Sequence, residues 1–419
     1  MEFRELTDAE YRDLLGRQDR VYLSQLVEYG DARRLEGTVV QRVGLLADDG
    51  TPLGAATIYN QPWKKVFFRA IAYYGPMVDF MDESLALKLV RELVRWVKKD
   101  PRVLALRVNP FVHRRPYRDI TPGEESEEAR AVDRVMALAG ATKVKGEYQD
   151  GVSVAANFLY TKDLGRMNYE EVLASTGNNV RAGIRKAASN GVKVEYLGTE
   201  DFAILRDVLD HTAERTEMPP VLPDDLERAR QLMRLMGPET CHYMVAILDA
   251  EETLRAIDTE LESVKEELAH FDELEKDRQL TRKQHNAREQ LRDRINGLLR
   301  RRDKTERVRS KHGEKVVLTA SQFIETPTDM IFYYSGGYSD LADYRGIYAV
   351  HNEMMKRAVQ KGLRWYNLNV IPGVFDAEQP GYGLVDYKRN FHGNVEELVG
   401  TYEFAIRPRL AKWLGAVQP

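Results

Sequence analysis

Residues 251–310 read EETLRAIDTELESVKEELAHFDELEKDRQLTRKQHNAREQLRDRINGLLRRRDKTERVRS. In the first half, apolar residues recur at alternating spacings of three and four, the stripe along which helices pack in a coiled coil. These residues are Leu254, Ile257, Leu261, Val264, Leu268 and Phe271. The second half has a less regular set: Ala287, Leu291, Ile295 and Leu298. The pattern predicts an antiparallel helical hairpin that folds back near residues 276–283.

The two arms of this hairpin carry opposite charge. Residues 251–280 have 11 acidic and 4 basic side chains, and residues 281–310 have 4 acidic and 11 basic ones. Pairing across the seam would fix register and orientation more than it would add stability. An arm of about 25 residues would reach roughly 37 Å, which suits the holding of a large partner. A family-specific insertion or a dimerisation arm is the alternative.

Composition limits the classes of protein to consider. A chain of 419 residues is long enough for two or more domains. The net charge of −4 argues against general polyanion binding, so a nucleic acid would have to contact a local basic patch. The one cysteine, Cys241, lies in an apolar run that predicts a buried strand. No run of 18 apolar residues occurs, and we expect a cytoplasmic protein.

Strand and helix patterns alternate through residues 1–160, and a similar order follows. In the first part we predict strands at Val39–Leu46, Pro52–Tyr59, Val66–Tyr74 and Val103–Val108, with a helix at Glu83–Lys99. In the second part we predict helices at Tyr169–Ser189, Asp201–Glu217 and Asp343–Gln360. The second set of strands is Asn157–Leu164, Val192–Leu197, Cys241–Leu248, Lys315–Phe323, Thr328–Ser335 and Leu363–Val370. The sequence thus predicts two tandem α/β units, with the hairpin inserted between two strands of the second.

Common catalytic motifs are missing from the sequence. There is no Walker A, HExxH, CxxC or GxSxG motif, and the eight histidines do not pair at ligand spacing. We therefore expect no protein-bound metal.

Several other groups of residues could carry chemistry. Arg181 and Arg185 are four residues apart, so they share a helix face that could hold a phosphate or a carboxylate; a solvated basic face is the alternative. A second arginine site is Arg215, at the end of the next predicted helix. Further candidates are Tyr333 and Tyr334 before Gly336–Gly337, a predicted turn; Lys388 and Phe391 at a basic helix end; and Tyr74 and Asp79 after a strand.

In order along the chain, these segments resemble the Fem family of peptidoglycan bridge-forming aminoacyltransferases. The resemblance rests on NVRAGIRKAASNGVKVE, on YYSGGYSDLADYRGIYAVHNEMMKRAVQKGLRWYNLNV and on GLVDYKRNFHGNVEELVGTYEFAI. It covers nearly the whole chain and implies an α/β fold of two tandem acetyltransferase-like (GNAT) domains with an inserted antiparallel coiled-coil hairpin. The implied domains are residues 1–155 with 400–419, residues 156–250 with 311–399, and residues 251–310 as the arm.

The resemblance also implies a reaction. An aminoacyl group would move from aminoacyl-tRNA to an amine on the stem peptide of a peptidoglycan precursor, either lipid II or UDP-MurNAc-pentapeptide. An aminoacyl ester is already activated, so no cofactor is expected. A monomer in peripheral contact with the inner membrane leaflet is expected. The alternatives are aminoacylation of a peptide antibiotic, an acyl-CoA N-acyltransferase and an inactive scaffold.

Some site residues are implied by the same resemblance. Lys388 would neutralise charge near the transfer centre beside Phe391. Arg215, Tyr74 and Tyr334 would bind the precursor, with Tyr333 as the alternative to Tyr334. Asp79 matches a carboxylate of the same cleft and is a candidate base, and substrate-assisted deprotonation is the alternative.

Other candidates come from the pattern of charge. Arg181 and Arg185 are candidates for precursor binding through their shared helix face. The basic second arm supplies candidates for contact with tRNA, for which pairing with the acidic arm is the alternative: Arg300, Arg301, Arg302, Lys304, Arg307 and Arg309.

The sequence departs from the family pattern at a few positions. Tyr74 stands where the family has an arginine before Gly-Pro, and Asn109–Pro110 replaces its usual Asp-Pro. The pyrophosphate loop of acetyl-CoA enzymes has no clear match. The missing loop is expected of the Fem family and disfavours a CoA-dependent enzyme.

Overall fold

Strands and helices alternate along the chain in a mixed α/β fold. The structure, a computed structural model, describes residues 1–146, 155–216 and 220–418. Residues 147–154 of the first predicted domain, the predicted helix end at Glu217, and Pro419 in the segment 400–419 lie outside the described residues.

Strands occur in both halves of the described chain. They are β1 (Glu2–Glu5), β2 (Val39–Leu46), β3 (Pro52–Trp63), β4 (Phe67–Ala72), β5 (Val103–Val108), β6 (His113–Arg115), β7 (Tyr117–Arg118), β8 (Thr121–Pro122), β9 (Thr142–Lys143), β10 (Phe158–Asp163), β11 (Val192–Tyr196), β12 (Cys241–Asp249), β13 (Lys315–Glu325), β14 (Asp329–Gly337), β15 (Trp365–Val370), β16 (Asn394–Leu398) and β17 (Tyr402–Ala405).

The α-helices lie between many of these strands. They are α1 (Asp8–Gly16), α2 (Val27–Leu35), α3 (Glu83–Lys98), α4 (Glu127–Ala139), α5 (Tyr169–Ala174), α6 (Asn178–Ser189), α7 (Phe202–Thr216), α8 (Pro223–Met236), α9 (Ala250–Asp277), α10 (Arg282–His312), α11 (Gly346–Gln360), α12 (Tyr382–Arg389) and α13 (Pro408–Trp413). Short 3-10 helices lie at Leu23–Gln25, Thr199–Asp201 and Ser339–Tyr344.

Two large sheets organise the fold. The first has the order β1-β2-β3-β4-β5-β17-β9, and the second has the order β11-β12-β13-β14-β15-β10-β16-β6. Each sheet contains a parallel pair, β4 with β5 in the first and β14 with β15 in the second. Strand β17 returns from the end of the chain to the first sheet, and β6 from the first half joins the second. The two sheets are therefore interlocked by an exchange of strands.

Helices cover these sheets with their apolar faces. In α3, Asp82 is the N-cap and its side chain accepts from Leu85 N, which satisfies one of the free amides of the first turn. The buried side chains of α3 recur every three or four residues and pack into the core of the first sheet. The predicted helix at Glu83–Lys99 thus corresponds to α3, one residue shorter.

The long helices α9 and α10 leave from β12 and return into β13. At about 1.5 Å per residue, their 28 and 31 residues correspond to about 42 and 46 Å. They share a small core made by Ile257, Leu261, Val264 and Leu298, against which Leu291 and Ile295 pack. Ion pairs join the two arms: Arg288 with Asp272 (3.0 Å) and Glu275 (2.6 Å), Arg294 with Glu260 (2.7 Å), and Arg302 with Asp258 (2.7 Å).

One predicted helix is broken in the structure. Tyr169–Ser189 is not continuous but divides into α5 and α6, with Gly177 as the N-cap of α6. Gly177 N donates to Asn390 O (2.7 Å), and a Cβ at Gly177 would lie 2.8 Å from that oxygen. The break therefore lets the backbone before α6 approach the residue that follows α12.

A second prediction was wrong at Gly336–Gly337, which belongs to β14 instead of forming a turn. A Cβ at Gly336 would lie 2.7 Å from Val208 O on α7, so glycine is required where the helix crosses the strand closely. Among the residues described, no helix is long and apolar enough to cross a membrane.

Candidate active site

Lys388 is a buried lysine in the last turn of α12. Only 4% of the residue is exposed, and its Nζ donates to Val370 O (2.7 Å) at the end of β15. Burial lowers the pKa of Lys388 to about 7, because a charged ammonium loses its hydration there. The amine can therefore gain or lose a proton near neutral pH, as an acid–base group requires.

A network of uncharged ring side chains packs against α12. His351 lies between two tyrosine hydroxyls, with Nδ1 2.7 Å from Tyr366 Oη and Nε2 2.7 Å from Tyr387 Oη. Burial, followed by the charge of Lys388, lowers the pKa of His351 to about 3, so the imidazole is neutral. Phe391 is fully buried with its ring 4.6 Å from that of His351. Phe391 therefore packs against the ring network beside α12.

The carbonyl that holds Lys388 is presented by an unusual backbone conformation. Asn369, next to Val370, has a φ of 68°, in the left-handed region that non-glycine residues rarely adopt. Its side-chain oxygen accepts from Tyr22 Oη (2.7 Å), and its N–H donates to Asn367 Oδ1 (2.8 Å). Tyr22, from the chain that precedes α2, is thereby linked through Asn369 to the position of Lys388.

Two substitutions of Asn369 separate the effect of its backbone conformation on stability from the effect of its side-chain hydrogen bond. We expect Asn369→Gly to keep the left-handed backbone and to lose only the acceptor for Tyr22, which lowers the free energy of unfolding by about 1 kcal/mol. Asn369→Ala should lose about 1–2 kcal/mol more, because it lacks the same acceptor and is also strained at positive φ. Urea unfolding of both variants measures this difference. Equal losses would show that the conformation does not matter.

The parallel register of β14 and β15 runs only from Asp329 opposite Trp365 to Ile331 opposite Asn367. Both strands continue beyond it, so they separate towards their carboxyl ends. Tyr333 and Tyr334 lie on β14 in this region, with ring centroids 4.4 Å apart. Burial raises the pKa of both phenols, so both remain neutral hydrogen-bonding groups.

Tyr74 joins this region from the first sheet. It is buried, has a φ of 51°, and its ring centroid is 4.3 Å from that of Tyr22. Tyr74 belongs to the apolar cluster against which Tyr333 and Tyr334 pack. The structure thus brings these three predicted tyrosines to one junction between the two sheets.

Arg228 lies at the same junction and was not singled out in the sequence. Its guanidinium binds Glu36 (2.7 Å) on the chain after α2 and Asp225 (2.8 Å) on α8, and it contributes to the electrostatic surroundings of Tyr333 and Tyr334. No local pattern marks Arg228, because its partner Glu36 is 192 residues away in sequence.

A buried ionic cluster beside this junction joins the segment after α1 to the second sheet. Arg20 donates to Asp329 (2.8 Å) and to Glu396 (2.6 Å), and its guanidinium lies 4.5 Å from the ring centroid of Trp365. Asp329 begins β14 and Glu396 lies in β16, so Arg20 ties the segment that carries Tyr22 to the second sheet.

Asp79 does not join this arrangement. It lies in the loop before α3, and its Oδ1 accepts from Met81 N (2.8 Å), a local turn interaction. No hydrogen bond or ion pair among the described residues links Asp79 to Lys388. A catalytic base at Asp79 is therefore disfavoured by its position.

The three arginines predicted to bind the precursor have different surroundings. Arg181 donates to Ala174 O (2.9 Å) and to Thr176 O, the free carbonyls at the end of α5, so its guanidinium is already engaged. Arg185 and Arg215 are exposed, and no ion pair with either occurs within the described residues. Binding of the precursor by Arg181 and Arg185 stays a prediction, in which carbonyls at the helix break already take part of the hydrogen-bonding capacity of Arg181.

The six basic residues predicted to contact tRNA also divide into groups. Three form ion pairs: Arg302 with Asp258 (2.7 Å), Lys304 with Asp343 (3.0 Å) and Arg309 with Glu306 (3.7 Å). Arg301 is half-buried. Arg300 and Arg307 have no acidic partner within the part of the chain described.

The sequence and the fold are similar to those of known proteins. The model of the FemAB family matches residues 6–418. The sequence is 24% identical over 412 residues to aminoacyltransferase FemA of Staphylococcus epidermidis, covering 96% of this chain and 95% of that protein. Against aminoacyltransferase FemA of Staphylococcus aureus the identity is 23% over 410 residues, with coverage of 96% and 94%. The crystal structure of FemX shares the fold, with a TM-score of 0.81, 17% identity and 99% coverage of both chains. Because the family model spans nearly the whole sequence, the chain belongs to the FemAB family.

Proposed function

We propose that this aminoacyltransferase moves an aminoacyl group from aminoacyl-tRNA to an amine on the stem peptide of a peptidoglycan precursor, extending the interpeptide bridge. The observation that carries the proposal is Lys388, a buried lysine of α12 that donates to Val370 O at the end of β15 and has a pKa of about 7. This chain matches FemA over nearly its full length, and a buried lysine of this kind is suited to stabilise the charge that develops in acyl transfer.

In the proposed reaction the acceptor amine attacks the ester carbonyl. A C–N bond forms, the C–O bond to the ribose breaks, and a proton passes from the nitrogen to the leaving oxygen. The Lys388 ammonium stabilises the negative charge that develops on oxygen, while its bond to Val370 O fixes its direction. With Asp79 held in a surface turn, substrate-assisted deprotonation of the amine is the route we favour.

We further propose that each large sheet, with its parallel pair, is the centre of an acetyltransferase-like (GNAT) domain. Residues 1–155 and 400–419 would form the first domain, and residues 156–250 and 311–399 the second. The return of β17 to the first sheet supports this division, and β6 departs from it by pairing in the second sheet. Residues 251–310 would be a coiled-coil arm.

The free cations of this arm are the proposed contact with tRNA. Arg300 and Arg307 are seven residues apart on α10, so they lie on one face about 10 Å apart along the helix axis. Neither has an acidic partner within the described residues, and Arg307 Nε donates to Asp303 O (3.3 Å), so their remaining N–H groups are available for phosphates. The paired cations of the arm, such as Arg302, would instead hold the two helices together.

We expect the double variant Arg300→Ala/Arg307→Ala to raise KM for aminoacyl-tRNA roughly tenfold, with kcat nearly unchanged. The dependence of log KM on log salt should become shallower by about one for each phosphate that the variant no longer binds. Steady-state transfer assays over a range of salt measure both effects.

The matched control is Arg294→Ala/Arg302→Ala, which removes the same charge from the same helix but from residues already paired with Glu260 and Asp258. The control should change KM less. An equal rise in KM for both double variants would mean that net charge, and not a defined contact, governs tRNA binding.

The proposal also includes the acceptor substrate, the cellular location and the oligomeric state of the enzyme. We place the enzyme in the cytoplasm as a monomer that uses either a lipid-linked or a nucleotide-linked precursor, with peripheral contact to the inner leaflet when the acceptor is lipid-linked.

The decisive experiment mixes the purified protein with radiolabelled aminoacyl-tRNAs and either form of the precursor, without CoA or ATP. Labelled precursor from one aminoacyl-tRNA would support the proposal and name the donor. The proposal fails if a folded enzyme transfers nothing to either precursor.

A further inference from the structure

The turn between β3 and β4 and the last helix, α13, form an aromatic and basic surface. The turn between β3 and β4, residues 64–66, packs beside α13. Trp63 Nε1 donates to Leu414 O (3.1 Å), and the Arg69 guanidinium, 3.6 Å from the Trp63 ring centroid, donates to Gly415 O (3.3 Å). These contacts hold the turn and the end of α13 as one surface.

Large apolar side chains project from this surface into solvent. Trp413 is 80% exposed and Val66 is 61% exposed, whereas Leu410 and Leu414 of the same segment pack inward around Ala411. Exposed tryptophan is unusual in a folded protein, and an exposed apolar group flanked by polar ones commonly marks an interaction site.

The surrounding side chains are cationic. Lys64, Lys65, Arg409 and Lys412 are all exposed, and within the described residues none of them forms an ion pair with an acidic group. By contrast, the nearby Arg102 is paired with Asp100 (2.8 Å). Four unpaired cations in one place are a strong local departure from a chain whose net charge is −4.

We propose that this surface, which we call the Trp413 patch (Lys64, Lys65, Val66, Arg409, Lys412 and Trp413), docks on the anionic phospholipid headgroups of a bilayer. The cations would lie at the level of the phosphates, and Trp413 and Val66 would enter the interface. Tryptophan suits that depth because its ring is apolar and its N–H is polar.

The combination of cationic and apolar side chains favours a bilayer over RNA as the occupant. An RNA backbone would use the four cations, and a base could stack on Trp413. It would leave the aliphatic Val66 in water, whereas a bilayer interface gains from both apolar side chains. The proposal deepens the proposed function and rests on it for its purpose, because it would bring the enzyme to a lipid-linked acceptor.

Vesicle binding tests the proposal directly on the full chain. The protein is sedimented with vesicles of phosphatidylglycerol mixed with phosphatidylcholine, and with vesicles of phosphatidylcholine alone. We expect binding to the anionic vesicles that weakens with salt. The quadruple variant Lys64→Gln/Lys65→Gln/Arg409→Gln/Lys412→Gln should lose roughly fivefold in affinity for each cation. Trp413→Ser should lose roughly tenfold.

A charge-matched control changes four cations of α10 instead: Arg282→Gln, Lys283→Gln, Arg300→Gln and Arg307→Gln. This variant should keep its affinity for anionic vesicles. The proposal is overturned if wild-type protein ignores anionic vesicles, if both quadruple variants lose binding equally, or if the patch variants lose affinity for tRNA and not for vesicles.

An aminoacyl-transfer assay distinguishes a failure of this proposal from a failure of the proposed function. With the lipid-linked precursor dissolved in detergent, the patch variants should transfer at the wild-type rate, and with the precursor in anionic vesicles they should be slower. Vesicle binding without transfer to any precursor would refute the proposed function and leave the patch standing. Slow transfer in detergent as well would overturn the patch as a membrane surface.

Discussion

Lys388→Met is expected to abolish aminoacyl transfer and to raise the stability of the folded chain at neutral pH. Burial lowers the pKa of Lys388 from 10.5 to about 7, so folding must strip hydration from an ammonium that the unfolded chain keeps in water. A shift of that size corresponds to about 4–5 kcal/mol. Methionine has a similar length and removes this cost, although Val370 O loses its donor, at about 1–3 kcal/mol. The expected net gain is about 2 kcal/mol.

The same variant should lose transfer by a factor of at least about 10³, because the developing oxyanion would lose the cation that we propose to stabilise it. The loss should fall on kcat, with KM for the precursor nearly unchanged, if Lys388 acts in the transition state. Single-turnover transfer and urea unfolding of the same preparation measure the two effects together.

The pH dependence of both properties follows from the shifted pKa. Between pH 7 and 10.5 the unfolded chain retains the Lys388 proton and the folded chain does not. Rising pH therefore stabilises the folded wild type through this group by up to about 1.4 kcal/mol per unit, and this gain should disappear in Lys388→Met. In the wild type, kcat should fall about tenfold per unit above pH 7, because the ammonium is lost.

Lys162 supplies a matched control for this experiment. It is a second buried lysine, in β10, with a pKa lowered to about 8 mainly by burial. Lys162→Met should also raise stability but should retain transfer. Transfer by Lys388→Met within tenfold of the wild type would reject the catalytic role, and a large loss of its stability would reject the cost of burying the ammonium.

The hairpin is the part of the fold that could be predicted most fully from sequence. Spacings of three and four and the opposite charge of the arms are local properties of the chain, and they determine which faces meet. The break between α5 and α6 was missed because it depends on Asn390, more than 200 residues from Gly177, approaching the backbone there. Gly336 was assigned to a turn because nothing local reveals the crossing of α7.

The candidate site was predictable to a different extent. Lys388 and the tyrosines could be found through a resemblance in ordered motifs, but their surroundings could not. Tyr22 and Asn369 meet across 347 residues, and Arg20 meets Asp329 across 309. Periodicity constrains neighbours along one helix or strand, and carries no information about such distant pairs. Arg181 shows the same limit, since the carbonyls that its guanidinium contacts at the end of α5 are placed there by a helix break that has no local signal in the sequence.

Arg20→Met is expected to be the most destabilising single substitution at the junction. The Arg20 side chain is 10% exposed and its partners Asp329 and Glu396 are 1% and 9% exposed, so its removal leaves two carboxylates buried without their cation. Breaking a buried pair in this way costs about 3–5 kcal/mol. Urea unfolding at pH 7 measures the loss, and transfer should fall with it, because Arg20 fixes the segment that carries Tyr22.

An exposed arrangement of the same kind provides the control. Arg134 binds Glu83 (2.7 Å) and Glu127 (2.9 Å), but its side chain is 47% exposed, so Arg134→Met should cost no more than about 1 kcal/mol. The deficit of Arg20→Met should shrink as the pH is lowered from 7 to about 5, since buried carboxylates without a cation have raised pKa values and take up protons. Adding Asp329→Asn and Glu396→Gln should restore much of the loss at pH 7. A deficit that neither acid nor the neutral partners reduce would mean that Arg20 acts by packing on Trp365, and not as the charge that joins the segment of Tyr22 to the second sheet.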